Sequence, residues 1–276
     1  MMTFVYNEEK RRYAAMDEGQ EIGRLLFSKS GEKTLVFKHL IVEPEHRGKG
    51  VAGQLLKYAM EDVAKRGLKV VPVCPYVRKA FDENAEYRQN EAVAKKVGVI
   101  VGSLRKESFS RKVAEKMSDM LPEGYAGELV EIGQLPLYNQ DFDEGNGPES
   151  YDAFRAKIAS LDGLIFVTPE YNRGTSAVLK NAMDVASRPW GHNKWGGKPA
   201  MVVGVTPGAL GAMAAVIDVR KTLAFLNVPV MGQPEAYLSN AGEMFKEDGS
   251  FASEEVKGFV QKLVDSYVKF AQKTLG

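Results

Sequence analysis

From Val97 onward the chain repeats one unit: a short run that is apolar throughout, a loop, and then a stretch whose apolar residues recur every three or four positions. The runs VGVIV, GELVEI, GLIFVT, PAMVVGV and VPVMG alternate with SRKVAEKMSDML, SYDAFRAKIASL, SAVLKNAMDVAS, AMAAVIDVRKTLAFL and a last helix from Glu254. Strands without polar alternation must be covered on both faces, and strands separated by helices run parallel. The expectation is a flavodoxin-like, doubly wound α/β fold with a five-stranded parallel sheet. In such sheets ligands sit beyond the carboxyl ends of the strands at the switch point. The loops after VGVIV, GLIFVT and PAMVVGV are therefore the ones to examine.

This rhythm begins a third of the way along a chain of 276 residues, more than a single core usually organises. The part before it is built differently. Short β segments, TFVYN, RRYAAM, QEIGRLLFSK and KTLVFKHLIV, are parted by turn formers at Asp17–Gly19 and Lys29–Gly31. They lead through EPEHRGKG into an amphipathic helix with Leu55, Leu56, Ala59, Val63 and Ala64 on one face and Gly67 as its stop. A strand, LKVVPVC, and a short helix near VRKAFDENAEY complete a small α+β domain. The polar stretch RQNEAVAKK has the periodicity of neither neighbour, so the expected domains are 1–92 and 93–276.

Charge and cysteine content remove several functions. Lys plus Arg number 37 and Asp plus Glu 36, so no global field draws in nucleic acid or an anionic membrane. The single Cys74 excludes an internal disulfide, and with only His39, His46 and His192 beside it no zinc cage, and no other metal site, is expected. The start, MMTFVYNEEKRR, lacks the apolar stretch of a signal peptide, and no run approaches the roughly 20 apolar residues of a membrane span. A cytoplasmic protein without a membrane or nucleic-acid partner is expected.

The loop Gly102–Ser110, GSLRKESFS, joins a buried strand to a helix N-terminus, whose free N–H groups and dipole favour an anion. It is neither a Walker loop nor a dinucleotide GxGxxG. Ser103, Ser108 and Ser110 add hydroxyls and Arg105 a charge suited to a phosphate; equally, the serines can serve as helix caps. In the second unit GSLRKESFS, TPEYNRGTSAVLKNAMDVASRP and VTPGALGAMAAVIDVRKTLAFLNVPVMGQPEAYL together resemble the NADPH-dependent FMN reductase family, which includes bacterial chromate, quinone and azo-dye reductases. The resemblance covers roughly residues 96 to 276. It implies that Ser103, Arg105, Ser108 and Ser110 hold the FMN phosphate. It implies further that Pro169, Glu170, Tyr171 and Asn172 lie along the flavin ring, mostly through backbone, and that Thr206, Pro207 and Gly208 close the other side. NAD(P)H would be the co-substrate, a small molecule such as a quinone, an azo compound or an oxidised metal the acceptor, and a homodimer or homotetramer the assembly, because relatives complete their flavin sites across a subunit contact. A flavin needs no general base from the protein, and none is visible. Two features depart from the pattern: Gly174-Thr175-Ser176-Ala177 stands where relatives often have small-x-Pro-Gly, and Val185 where an aromatic is common. Tyr171 and Trp190 can be packing aromatics, and KNAMD reads as helix structure.

In the first unit, Arg47-Gly48-Lys49-Gly50-Val51-Ala52 fits R-x-x-G-x-A between a strand and a helix, where glycines let amides approach a pyrophosphate. A basic turn capping a helix has the same composition. The segment resembles motif A of the GCN5-related N-acetyltransferases, and VPVCPYVRKAFDENAEY the end of a small branch of them, over roughly residues 3 to 90. That implies acetyl-CoA gripped by Arg47–Ala52, with its pantetheine arm beside Ile41 and Val42, and acyl handling by His39 and Cys74. By residue chemistry Cys74 equally reads as a small buried apolar group. Asn84-Ala85-Glu86-Tyr87 replaces the branch's His-Pro-Glu-Tyr, and the branch lacks the half that binds acceptors in full transferases. The combined reading is an FMN reductase fused to an acyl-CoA module. Two alternatives keep the folds: a flavin-bound redox sensor, and an acetyltransferase regulated by flavin.

Overall fold

The computed structural model describes residues 2–276 and divides the chain into two units, residues 2–94 with 122–126, and residues 95–121 with 127–276. In the first, β1 (Thr3–Asn7), β2 (Arg12–Asp17), β3 (Gln20–Lys29) and β4 (Thr34–Val42) form an antiparallel meander. The Glu18-Gly19 turn between β2 and β3 is left-handed at both residues, φ +47° and +82°, which matches the twist of a tight hairpin. Helix α1 (Val51–Lys65) crosses the sheet and buries Val51, Leu55, Leu56, Ala59, Met60 and Val63 against Tyr13, Leu25, Phe27 and Phe37. Gly67 ends it with φ +62°. Strand β5 (Lys69–Pro72) returns parallel to β4, and α2 (Pro75–Glu83) and α3 (Ala85–Gln89) close the unit where one short helix is expected from sequence. Asn84 separates them because its side chain accepts from Glu86 N and starts α3 anew.

The second unit contains β6 (Lys95–Val101), α4 (Phe109–Asp119), β7 (Tyr125–Val130) from Gly127 onward, α5 (Glu149–Ala159), β8 (Gly163–Thr168), α6 (Ala177–Ser187), β9 (Ala200–Val205), α7 (Met213–Phe225), β10 (Ala236–Leu238) and α8 (Glu254–Leu275). The sheet is parallel, in the order β10-β9-β8-β6-β7. Numbered within the unit that is 2-1-3-4-5 read from β7, the flavodoxin order, with its switch point between β6 and β8. Every residue of β8 and β9 is buried, as their unbroken apolar runs require.

One strand differs from the sequence expectation. VPVMG, residues 228–232, forms only a bridge from Val230 to Ala200, and the fifth strand is Ala236–Leu238. Pro229 has no N–H to donate; its carbonyl accepts from Ala200 N, Met231 N bonds back to Ala200 O, and the ladder resumes at Ala236.

Candidate functional site

The loops after β6, β8 and β9 meet at the carboxyl edge of this sheet. The loop Gly102–Ser108 leaves β6 tightly packed: a Cβ on Gly102 would stand 2.8 Å from Ser176 Oγ and 2.9 Å from Pro169 Cδ. Only glycine allows that approach. Ser103 is buried and its Oγ lies 3.5 Å from the Tyr171 hydroxyl, so two site residues separated by 68 positions are brought together. Ser108 is the N-cap of α4 and accepts from Arg111 N at 3.2 Å, while its own hydroxyl proton remains to be donated. Ser110 is buried in the first turn. Arg105 is exposed, donates to Glu107 O at 3.3 Å and lies over the Phe109 ring. The acid in the loop, Glu107, pairs with Lys112 at 3.4 Å and leaves the loop's net charge positive. Hydroxyls, a guanidinium and the α4 N-terminus form a donor set suited to a phosphate monoester, so these residues fit the phosphate end of FMN.

The turn after β8 is unusual in its backbone. Tyr171 and Gly174 exchange hydrogen bonds of 3.1 and 3.0 Å, and Asn172 and Arg173 between them have φ +52° and +65°. This is a type I′ arrangement, common for Asn at its first central position and costly for Arg at the second. Pro169 is buried, and Tyr171, Asn172 and Arg173 are exposed, Tyr171 at 47%. The Glu170 side chain does not stay with the turn. Its Oε2 accepts from Ala214 N and Ala215 N at 3.0 and 3.4 Å, and its Oε1 pairs with Arg173 at 3.0 Å. The loop after β9 is held by its own bonds: Thr206 Oγ1 accepts from Gly208 N at 3.2 Å, Thr206 O from Ala241 N and Gly208 O from Asn240 N. Each of the three loops leaves one large apolar side chain exposed: Leu104, Tyr171 and Leu210.

Several structural roles here have no local sequence signal. Asn181 of KNAMD, buried in α6, accepts from Tyr138 N at 2.7 Å and donates to the carbonyls of Leu135 and Pro136, fixing the loop after β7. Asp143 receives Arg155 at 3.2 Å, Arg188 at 3.1 Å and the Tyr138 hydroxyl at 2.7 Å. Burial, reinforced by the bond to Asp143, pushes the Tyr138 phenol upward and keeps it a neutral donor. Trp190 is 79% exposed, whereas Trp195 is fully buried and donates to Met183 O. Val185 is fully buried.

In the first unit Arg47 Nε donates to Val42 O, and Gly48 and Gly50 are left-handed at φ +75° and +77°. Gly50 N-caps α1 without any side-chain bond, so the amides at Val51 and Ala52 face outward from the helix start with Lys49 exposed beside them. Pairing of β4 with β5 stops at Phe37–Pro72, yet β4 continues to Val42. Ile41 and Val42 therefore lie on a stretch with strand neighbours on one edge only. His39 is exposed on β4 beside an irregularity in the β3–β4 register. Cys74 is 6% exposed and packs in the core with Val77 and Phe81, in the manner of a small apolar residue. Among the described residues no group of His, Cys, Asp or Glu is placed to hold a metal, and no helix is long and apolar enough to cross a membrane.

Strand order and switch point define the second unit as a flavodoxin-like domain. Residues 95–243 match the family model described as NADPH-dependent FMN reductase. The chain belongs to that family and is an oxidoreductase, with FMN and NAD(P)H as the family's cofactor and reductant. It is 47% identical over 176 residues to a quinone reductase of Pseudomonas putida, covering 64% of this chain and 94% of that one. It is 41% identical over 180 residues to a 2-hydroxy-1,4-benzoquinone reductase of a Burkholderia species, covering 65% and 98%. Among solved structures it is similar to FerB, a flavoenzyme NAD(P)H:(acceptor) oxidoreductase from Paracoccus denitrificans, at 38% identity and a TM-score of 0.62, over 66% of this chain and 99% of that one. Residues 12–90 match the model of the GCN5-related N-acetyl-transferases.

Proposed function

We propose that the second unit binds FMN at the carboxyl edge of its sheet and reduces quinones with NAD(P)H. The observation that carries the site is the approach of Ser103 to Tyr171 across the β6–β8 switch point, which brings the phosphate-type loop against the turn after β8. The relatives named for quinones support the acceptor class. Azo compounds and chromate are further acceptors to test. When bound, the flavin supplies the hydride-accepting and hydride-donating centre. The residues of this chain bind and orient: Ser103, Ser108 and Ser110 with the α4 amides and Arg105 take the phosphate, the Pro169–Asn172 backbone lines one side and Thr206–Gly208 the other. Arg105→Ala removes a charge without touching a cap, and is expected to weaken FMN about ten- to a hundredfold while leaving riboflavin unchanged. Fluorescence titration of both flavins reads this, and equal losses would refute the phosphate assignment. Continued NAD(P)H oxidation with a quinone separates the enzyme from a redox sensor, which would be reduced once and stop.

On the exposed side of α7, Met213, Ile217, Lys221 and Phe225 follow one another at four-residue spacing, with Met213, Ile217 and Phe225 45%, 52% and 79% exposed. We assign this stripe to the contact of a homodimer or homotetramer. Ile217→Asp should lower the mass seen by light scattering, and an unchanged mass would remove α7 from the contact. For the first unit the stretch of β4 past Phe37, paired with a strand on one edge only and leading to the Gly48–Gly50 turn, favours acyl-CoA as a second ligand, in keeping with a protein of the cytoplasm. Calorimetry with CoA and acetyl-CoA tests it, and absence of binding would refute it.

A further inference from the structure

The Glu170 carboxylate joins two loops that are separate in sequence. Oε2 sits on the first amides of α7, and Oε1 holds Arg173 in its left-handed conformation at the tip of the turn. The Glu170 side chain is 11% exposed, so its contact with the α7 amides is sheltered from competing water, whereas its partner Arg173 is 72% exposed. The turn also packs on α7 one turn further along: a Cβ on Gly174 would stand 3.3 Å from Asp218 Oδ2. Helix α7 directly follows the Thr206–Gly211 loop, the wall opposite the turn. A carboxylate already fills the anion position that the α7 N-terminus offers, so this helix end is not a second phosphate site.

We propose that Glu170 is a positioning residue that ties the turn after β8 to the N-terminus of α7 and so sets the spacing of the two walls flanking the flavin ring. This rests on the flavin reading above. It differs from a phosphate contact in its signature, because a strut between ring walls serves FMN and riboflavin alike.

The test is fluorescence titration of FMN and riboflavin against the intact protein and the variants Glu170→Ala, Glu170→Gln, Glu170→Asp and Arg173→Ala, with the visible circular dichroism of the bound flavin. Glu170→Ala is expected to weaken both flavins by the same factor, about tenfold or more, since two amide contacts to a charged acceptor are lost. Glu170→Gln keeps an acceptor oxygen on Ala214 N and should recover most of the affinity, whereas Glu170→Asp is one methylene short and should resemble the alanine variant. Arg173→Ala leaves the tie to α7 and should stay near the parent. The flavin dichroism band should change in the alanine and aspartate variants only. Unchanged affinity for both flavins in Glu170→Ala and Glu170→Asp would overturn the proposal, as would a loss confined to FMN, or a glutamine variant as weak as alanine. If the parent binds neither flavin, the flavin reading itself falls, and the proposal with it.

Discussion

Gly204, next to last in the buried strand β9, is where an added methyl group would do most harm to the site. A Cβ built there lies 2.2 Å from the Gly211 carbonyl oxygen, 2.8 Å from Val216 Cγ2 and 3.1 Å from Ala212 Cβ. A carbon needs about 3.3 Å from a carbonyl oxygen, so the Gly211 backbone must retreat by about 1 Å. It cannot retreat toward β10, because Gly211 is itself pressed on Tyr237, where its own Cβ would stand 2.5 Å from Cβ and 2.7 and 2.9 Å from the backbone C and Cα. The remaining direction lifts Ala212 and the first turn of α7, with the loop that closes the site. Overpacking of this kind costs about 1–3 kcal/mol, and the contact with rigid backbone puts Gly204→Ala at the upper end. Against it stands a gain of about 0.5–1 kcal/mol from replacing glycine in a strand, leaving a net loss of about 2 kcal/mol. Gly98→Ala is the control: its Cβ would stand 2.3 Å from Leu161 Cδ1, a side-chain end that can change rotamer. Urea unfolding followed by tryptophan fluorescence reports this unit, since Trp190 and buried Trp195 both lie in it. Gly204→Ala should lower the midpoint more than Gly98→Ala and also weaken FMN, which Gly98→Ala should not. A Gly204→Ala protein as stable as Gly98→Ala, with parental FMN affinity, would show this reasoning to be wrong.

Ser176 starts α6 with φ −67°, close to the proline value, and its buried hydroxyl has no partner. Ser176→Pro should therefore raise the melting temperature, by about 1 kcal/mol in stability, and a lower melting point would refute this. Asn181→Ala strips a buried amide and two carbonyls of partners; a loss of about 2–3 kcal/mol in urea unfolding is expected, and a loss below 1 kcal/mol would mean the loop after β7 holds itself. In the first unit, burial first and then the 2.7 Å bond to Asp62 push the Tyr13 phenol upward. Its folded pKa lies above the unfolded value of about 10, so its contribution is complete below pH 10 and falls as pH climbs beyond it. Tyr13→Phe should flatten that alkaline slope in unfolding monitored by far-ultraviolet dichroism, and an unchanged slope would refute the assignment. Glu91 and Ala92 are tied to β5 at Val70, whereas Val93 is 99% exposed. If the proposed boundary near residue 92 separates folding units, elastase should cut at Val93 and leave a stable fragment that retains FMN.

What could be read from the sequence was whatever periodicity or a contiguous loop encodes. Unbroken apolar runs gave β6, β8 and β9, because only a strand covered on both faces tolerates them, and GSLRKESFS showed its helix start through Ser108. VPVMG and the true fifth strand are both short, and the proline that interrupts the ladder lies inside the more apolar of the two, so apolarity alone points to the wrong segment. The Asp143 cluster draws on Tyr138, Arg155 and Arg188, up to 45 residues away, and no spacing rule selects such partners. The two tryptophans stand five positions apart with opposite burial, a distinction made by which loop residue turns inward rather than by residue type.

Glu170 shows most plainly why a motif names a site more readily than it assigns roles within it. In the resemblance to the reductases the four residues Pro169–Asn172 enter as one block along the ring. The fold divides them: Pro169 is packed against Gly102 below, Tyr171 reaches Ser103 across the switch point, Asn172 takes the left-handed backbone of the turn, and Glu170 alone leaves for α7. That departure follows from charge. A carboxylate next to a helix N-terminus gains from the dipole and from unpaired amides, and here α7 begins within its reach because Gly204 and Gly211 let the chain after β9 fold close over the strand. The glycine contact and the carboxylate tie are thus successive steps in placing one wall of the site, and disturbing either is expected to loosen flavin binding without touching the phosphate loop.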